Sequence, residues 1–301
     1  MKLLKLSIKI ALSLLLLTYL TVTNAFEAHF FIVGHQDDWQ LFMNPTVYES
    51  VKGTDKLAKR IIFIHVTAGD NGLGTTGTPV AYYSAREEGA LRAIRFLVNT
   101  DNGARGLHKM SIATFKGHRL ARYVYLNTVT YFLRLPGGIS NGDAFPNSKG
   151  ESLKNLYNGA TTQIHAIDGS AVYYGWNDLA STLSALVEYE SLQPSTITFN
   201  LNDSNTALNP NDHADHLYST LLMQQIASAK PCVNQNLFLG YASVGKPVNV
   251  TGDNFAIDVG TWAVTTSGLS DNYHQSNWSA DHMKWLGKNY FRTLKGTGVC
   301  G

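Results

Sequence analysis

A short apolar run that stops at a glycine and gives way at once to titratable groups restricts a chain to few folds. Here Phe30-Phe31-Ile32-Val33 ends at Gly34, and His35, Gln36, Asp37 and Asp38 follow. Such a run, apolar at every position, reads as a strand buried on both faces, as in a parallel sheet. Residues 60–67 (RIIFIHVT) repeat the pattern and end in Ala68-Gly69-Asp70-Asn71-Gly72. Residues 196–201 form a third such run, and a polar loop carries it to Asp212-His213-Ala214-Asp215-His216. Open α/β sheets hold their ligands just beyond the carboxyl ends of their strands. The polar segments are therefore expected to meet at one sheet edge.

Between these strands the spacing predicts helices. Ser84-Ala85-Arg86-Glu87 has the form of a capping box, with a helix expected to about Val98 over Leu91, Ile94, Leu97 and Val98. Asn177 is placed to cap a helix with Leu179, Leu183, Leu186 and Val187 at helical spacing, and Pro194 follows its end. A further helix is expected from the second His/Asp motif to about Ser228, over Leu217, Leu221 and Leu222. Alternation within 110–135 predicts strands near 111–116, 122–127 and 130–135. A long Gly/Asn/Ser loop spans 136–150, and 151–163 reads as helix. A last core strand is expected over 236–242, and a helix near 280–294 in a tail that is otherwise mixed. The expectation is a single α/β domain over 26–301. It has a Rossmann-like, mostly parallel sheet flanked by helices, added antiparallel strands, and a C-terminal extension at 245–301.

Residues 1–25 have the order of a secretory signal: Lys2, Lys5 and Lys9, then an apolar stretch, then Thr23-Asn24-Ala25. The other reading is an N-terminal membrane anchor, for which the apolar stretch is short. Cleavage near Ala25 would leave 21 basic and 22 acidic residues, so the formal +2 of the whole chain does not point to nucleic acid. No second segment is long and apolar enough to span a membrane. A secreted, periplasmic or extracellular protein is expected. In such a compartment Cys232 and Cys300 could pair, the other reading being two free thiols. Asn202, Asn249 and Asn277 each begin an N-glycosylation pattern.

His35 and Asp38 form H-x-x-D, and His213 and His216 form H-x-x-H at a helix start. Residues three apart on a helix share a face. Two His and one Asp form a known ligand set for catalytic zinc, with a position left for water. Asp37 stands beside them as a spare carboxylate. Each motif alone is weak, because Asp-rich turns are common caps and a surface His on a helix is ordinary. His65 lies inside a buried strand and reads as a core residue.

The chain resembles the PIG-L/LmbE-like family of zinc-dependent de-N-acetylases. The family's His-Pro-Asp-Asp motif appears here as His35-Gln36-Asp37-Asp38, and its His-x-Asp-His motif as His213-Ala214-Asp215-His216. Val66-Thr67-Ala68-Gly69-Asp70 and Ala85-Arg86-Glu87-Glu88-Gly89-Ala90 match as well, and the likeness runs from about 28 to 225. The resemblance implies His35, Asp38 and His216 as zinc ligands and Asp37 as general base. It implies His213 as oxyanion stabiliser or acid, and Asp215 as its orienting partner. Arg86 would line the substrate pocket, or be a first-turn surface charge. Gln36 departs from the family's Pro, which implies a less rigid turn. Trp39 stands where an acid is common, and would stack on a sugar ring or simply pack. The implied activity is removal of an N-acetyl group from a small-molecule or oligosaccharide substrate. A non-catalytic carbohydrate-binding protein, or a metal hydrolase acting on another bond, are the competing readings.

Overall fold

The computed structural model describes residues 26–53, 58–102, 106–191 and 195–300. The expected signal segment 1–25 and Pro194 lie outside the described residues. At the centre, β1 (Phe26–Val33) runs parallel to β2 (Lys59–Thr67) on one side and β8 (Ser195–Asn202) on the other. Beyond β2 comes β5 (Thr128–Leu135), and beyond β8 comes β9 (Asn234–Phe238), both parallel to their neighbours. Antiparallel strands finish both ends. β4 (His118–Tyr125) and β3 (His108–Phe115) follow β5, and β10 (Phe291–Leu294) follows β9. The result is one mostly parallel eight-stranded sheet, with a small antiparallel pair, β6 (Ile164–His165) and β7 (Val172–Tyr173), set apart. The chain leaves β1 toward β2 and returns on its other side at β8. The carboxyl end of β1 is therefore the topological switch point, where α/β sheets open a crevice.

Both faces of the sheet are covered, which is why its central strands are apolar at nearly every position. Phe30 and Ile32 point into one core with Ile62, Ile64 and Phe199. The helices α5 (Trp176–Ser191) and α6 (Ala214–Ser228) cover that core, contributing Leu179, Leu183, Leu186 and Val187 from α5 and Leu222, Met223 and Ile226 from α6. Leu217 and Leu221, expected in the core, are only half-buried. Phe31, Val33 and Phe63 point to the other face, under Leu91, Ile94, Leu97 and Val98 of α3 (Tyr82–Asn102). Each such fully buried side chain contributes about 1.5–3 kcal/mol.

Several expectations change. The capping box does not form, because α3 already begins at Tyr82 and Ser84 lies inside it. Glu87 turns instead to Arg134, which donates to both of its carboxylate oxygens at 2.7 Å. The helix expected over 151–163 is only α4 (Leu153–Tyr157), capped by Ser152 and ended at Gly159, whose φ of 73° is left-handed. The tail expected to be helical over 280–294 forms α8 (Ala280–Met283), turns at Gly287, and becomes the edge strand β10.

The longest element unforeseen in the sequence is α7 (Gly252–Ser270). Apart from Trp262 and Leu269, its buried face consists of Asp258, Thr261, Thr265, Thr266 and Gly268, so it carries almost no aliphatic period. It packs against α3 at a glycine pair. A Cβ on Gly89 would run into the Thr265 backbone, and one on Gly268 into the Gly89 backbone. Cys232 and Cys300 are joined in a disulfide spanning 68 residues, and Cys300 exchanges two backbone hydrogen bonds of 2.8 Å with Ser195 at the start of β8. In the chain-entropy picture such a loop contributes on the order of 4 kcal/mol.

The glycine contact makes a stability prediction. Gly268→Val overpacks the α3–α7 crossing and should lower unfolding free energy by about 1–3 kcal/mol. Urea unfolding should show a lower midpoint at unchanged slope, and an unchanged midpoint would contradict the packing described.

Candidate metal centre

The turn after β1 folds His35 and Asp38 against the start of α6. Gly34 makes this approach possible. A Cβ there would sit 3.1 Å from the Asp215 carbonyl carbon and 3.2 Å from the His216 ring. The asparagine-rich loop after β8 then delivers His213 as the N-cap of α6 and His216 into its first turn.

Three atoms converge: His35 Nδ1, Asp38 Oδ1 and His216 Nε2. Their separations are 3.3 Å (His35–Asp38), 3.3 Å (His35–His216) and 3.1 Å (His216–Asp38). Tetrahedral zinc with bonds of about 2.0–2.1 Å has ligand–ligand edges of about 3.3 Å. The three atoms therefore already have the spacing of three corners around one ion.

Proton placement supports the same fit. The other nitrogen of His35, Nε2, lies 3.2 Å from Asp215 Oδ2, and His216 Nδ1 lies 2.9 Å from Asp212 Oδ1. When each ring donates to its carboxylate, both inward nitrogens are left as lone pairs. Asp38 accepts the His35 backbone N–H through Oδ2 at 2.7 Å, which aims Oδ1 at the same point. Three acceptors without a proton among them call for a cation. Carboxylate partners of this kind orient ligand imidazoles and raise their basicity.

In the metal-free chain, protons take the cation's place. Burial opposes charge on His35, but Asp38 and Asp215 overcome it and lift its pKa to about 9. Burial likewise opposes charge on His216, yet Asp212 and Asp38 hold its pKa well above the ordinary value. Burial would raise Asp38, and the two histidines pull it well below the usual carboxylate range. Burial also acts upward on Asp212, which His216 nonetheless holds low.

His213 stands apart from this set. Its Nδ1 accepts the Asp215 backbone N–H at 3.1 Å, so the proton of the neutral ring is on Nε2. Burial, reinforced by His35 and His216, pushes its pKa down to about 4, and the ring is neutral near pH 7. Asp215 does not orient it through its side chain: the carboxylate oxygen is 3.8 Å from His213 Nδ1 and serves His35 and the Gly138 N–H instead. The expected partner of His213 is thus the partner of His35.

Asp37 faces the same space and is held by Arg86, whose guanidinium bonds both Asp37 Oδ1 and, at 2.6 Å, the Gly69 carbonyl. Arg86 is a cavity residue, not a surface charge. Gln36 is buried and donates to the Thr67 carbonyl at 2.9 Å, so the turn lacking proline is tied to the end of β2. Trp39 is fully buried, its ring 5.1 Å from that of Phe63. It packs and cannot stack on a ligand, because α1 (Asp38–Phe42), the short helix before α2 (Thr46–Val51), turns it into the core. His65 is a core residue stacked on Phe132, its pKa pushed down to about 4 by burial.

An open cavity of about 580 Å³ extends from these groups, within the usual range for small-molecule sites. The loop over 136–150 supplies part of its rim through Gly137, Gly138 and Phe145. The opposite wall comes from Tyr241, just after β9, and from Asn277, His282 and Trp285 of the tail. Sequence reasoning left this wall, and Asp212, without a role. Asp212 carried a signal, its i,i+4 spacing to His216; the tail carried none. Of the glycosylation patterns, Asn202 is buried and Asn277 lines the cavity. Asn249 is exposed, but its amide is engaged by both backbone groups of Asn289.

No family model matches the sequence, and no curated protein matches it. Among solved structures, the zinc-inhibited form of teicoplanin deacetylase Orf2 is similar at 12% identity and a TM-score of 0.45, over 88% of this chain and 96% of that one. A deacetylase–teicoplanin complex is similar at 10% identity and 0.43, over 88% and 96%. GalB, the 4-carboxy-2-hydroxymuconate hydratase from Pseudomonas putida KT2440, is similar at 11% and 0.40, over 86% and 82%. Likeness at this distance assigns no chemistry, since the set spans a deacetylase and a hydratase.

Two outcomes follow from the proton placement. Asp212→Asn removes the carboxylate behind His216 and should weaken metal binding about 10–100-fold in a competitive chelator titration. Unchanged affinity would remove Asp212 from the site. For pH, the raised values of His35 and His216 mean that the folded metal-free chain binds protons more tightly than the unfolded one. Both contributions are complete below the ordinary His value of 6.5; that of His35 is lost as pH rises through about 9, and that of His216 is likewise lost only well above 6.5. The melting temperature of the metal-free protein should therefore fall across that window. With metal bound the fall should disappear, and equal falls in both forms would contradict the assignment.

Proposed function

We propose that this chain is a metal-dependent hydrolase, with zinc as its ion, that removes an N-acetyl or other N-acyl group from an amino sugar or glycoconjugate. The observation that carries the reading is the triangle of His35 Nδ1, Asp38 Oδ1 and His216 Nε2, with Asp37 and His213 lining the same cavity. The two-nitrogen, one-oxygen donor set suits zinc. The motifs quoted above support membership of the PIG-L/LmbE-like family, and the order of residues 1–25 together with the Cys232–Cys300 bond supports a secreted protein.

A bound ion would supply Lewis acidity to a water molecule and to the acyl carbonyl. The remaining work belongs to the chain's own groups. Asp37, fixed by Arg86, takes the proton of the attacking water. The water oxygen bonds to the amide carbon. His213 donates its Nε2–H to the carbonyl oxygen as charge collects there, a kind of donor worth about 3 kcal/mol. The C–N bond then breaks, and the nitrogen leaves with the proton carried by Asp37. The products are a carboxylate, acetate in the simplest case, and a free amine. A ring-stacking role for Trp39, one of the supports for a non-catalytic sugar-binding protein, is lost with its burial.

The zinc-loaded protein should release acetate from N-acetylated sugars. Asp37→Asn should lower kcat by about 10²–10⁴-fold while metal content stays the same. Full activity in Asp37→Asn would sink the mechanism. Release from O-acetyl but not N-acetyl substrates would move the activity to esters.

A further inference from the structure

The charged groups on the sheet side of the cavity are already committed within the chain. Arg86 is spent on Asp37 and Gly69, and Asp38 on His35 and His216. On that side the His213 Nε2–H is left over, and the mechanism uses it. The opposite wall differs. Asn277 lines the cavity, and its side-chain amide has no hydrogen-bond partner among the described residues. His282 lines it too, with Nδ1 3.1 Å from Ser279 Oγ and no partner at Nε2 among the described residues. Asp37 and Arg86 line the same cavity as His282.

This wall is held firmly. The His282 ring lies parallel to Trp262 of α7, 5.7 Å between centroids at 22°. Trp285 stacks on Tyr241 at 4.9 Å and meets Phe42, beside the metal motif, edge-on at 5.5 Å. The Gly287 N–H donates to buried Asp258 at 2.7 Å, and Asp258 also accepts from Asn44 at 3.2 Å. Polar groups that line a cavity without partners in the chain are suited to reading hydroxyls, because a site built to hydrogen-bond a hydroxyl discriminates strongly against an analogue lacking it.

We propose that the C-terminal segment 277–285 is the specificity wall of this site, with Asn277 and His282 binding ring hydroxyls beside the acylated nitrogen, so that the substrate class is a polyhydroxylated amino sugar amide and not a simple amide. This rests on the hydrolase reading for its catalytic arm only. His282 and Asn277 position the substrate; neither takes part in the proton transfers assigned to Asp37 and His213.

The test has two arms. In the first, the zinc-loaded full-length protein is assayed on N-acetylglucosamine and on N-acetylcyclohexylamine, which has the ring and amide without the hydroxyls. His282→Ala should raise KM for the sugar at least 10-fold with less than about 3-fold change in kcat, and lower the sugar-over-cyclohexyl ratio of kcat/KM about 10-fold. His282→Gln, which keeps hydrogen-bonding groups, should restore part of the ratio. Equal losses on both substrates, or an unchanged ratio, overturn the proposal. In the second arm, glucosamine and N-acetylglucosamine are titrated calorimetrically into metal-free protein whose unfolding midpoint is checked. Saturable binding that weakens about 10-fold in His282→Ala or Asn277→Ala supports the wall even if no acetate is ever released, in which case the hydrolase reading alone fails. No binding by the unsubstituted protein, or equal binding by both variants, overturns the wall.

Discussion

Three lone pairs pointed at one place are the constraint on which the site depends. His35 Nδ1, Asp38 Oδ1 and His216 Nε2 repel one another unless a cation or protons lie among them, and the pairing of Asp38 with His216 spans 178 residues of chain. What aims them is a second layer of carboxylates. Asp215 fixes the His35 ring and Asp212 the His216 ring, each by accepting a hydrogen bond from the outward N–H. The same short stretch, Asp212 to His216, also turns the His213 lone pair onto the Asp215 backbone, leaving Nε2–H as a donor. One helix start thus sets the protonation of three imidazoles.

The fold exists to bring that helix start to the end of β1. A parallel sheet that reverses its direction of growth at β1 opens a crevice there, and the absence of a side chain at Gly34 lets α6 close on it. The tail completes the enclosure from the far side. It joins the sheet at β10 and also meets the segment just after the His35/Asp38 turn through Phe42, Asn44 and Asp258.

Much of this was legible in the sequence, for physical reasons. Strands buried on both faces have no freedom to be polar, so 30–33, 60–67 and 196–201 announce themselves, and the polar turns after them mark the edge. What the sequence hides is direction. Trp39 is two χ angles from either the cavity or the core, and only the turn of α1 decides for the core. Asp215 is adjacent in sequence to one histidine's backbone and adjacent in space to another's ring. Helix α7 is silent because threonines and Gly268 replace the aliphatic period, a choice that the close crossing with Gly89 of α3 demands. The cavity-facing role of His282 depends on that unseen helix, since Trp262 is what holds its ring.

The most direct measurement is anomalous diffraction at the zinc edge from crystals of the zinc-loaded protein. A single strong peak about 2.0–2.1 Å from His35 Nδ1, Asp38 Oδ1 and His216 Nε2, with a fourth position open to solvent, is the expected result. A peak elsewhere, or none at full zinc loading, would contradict the account.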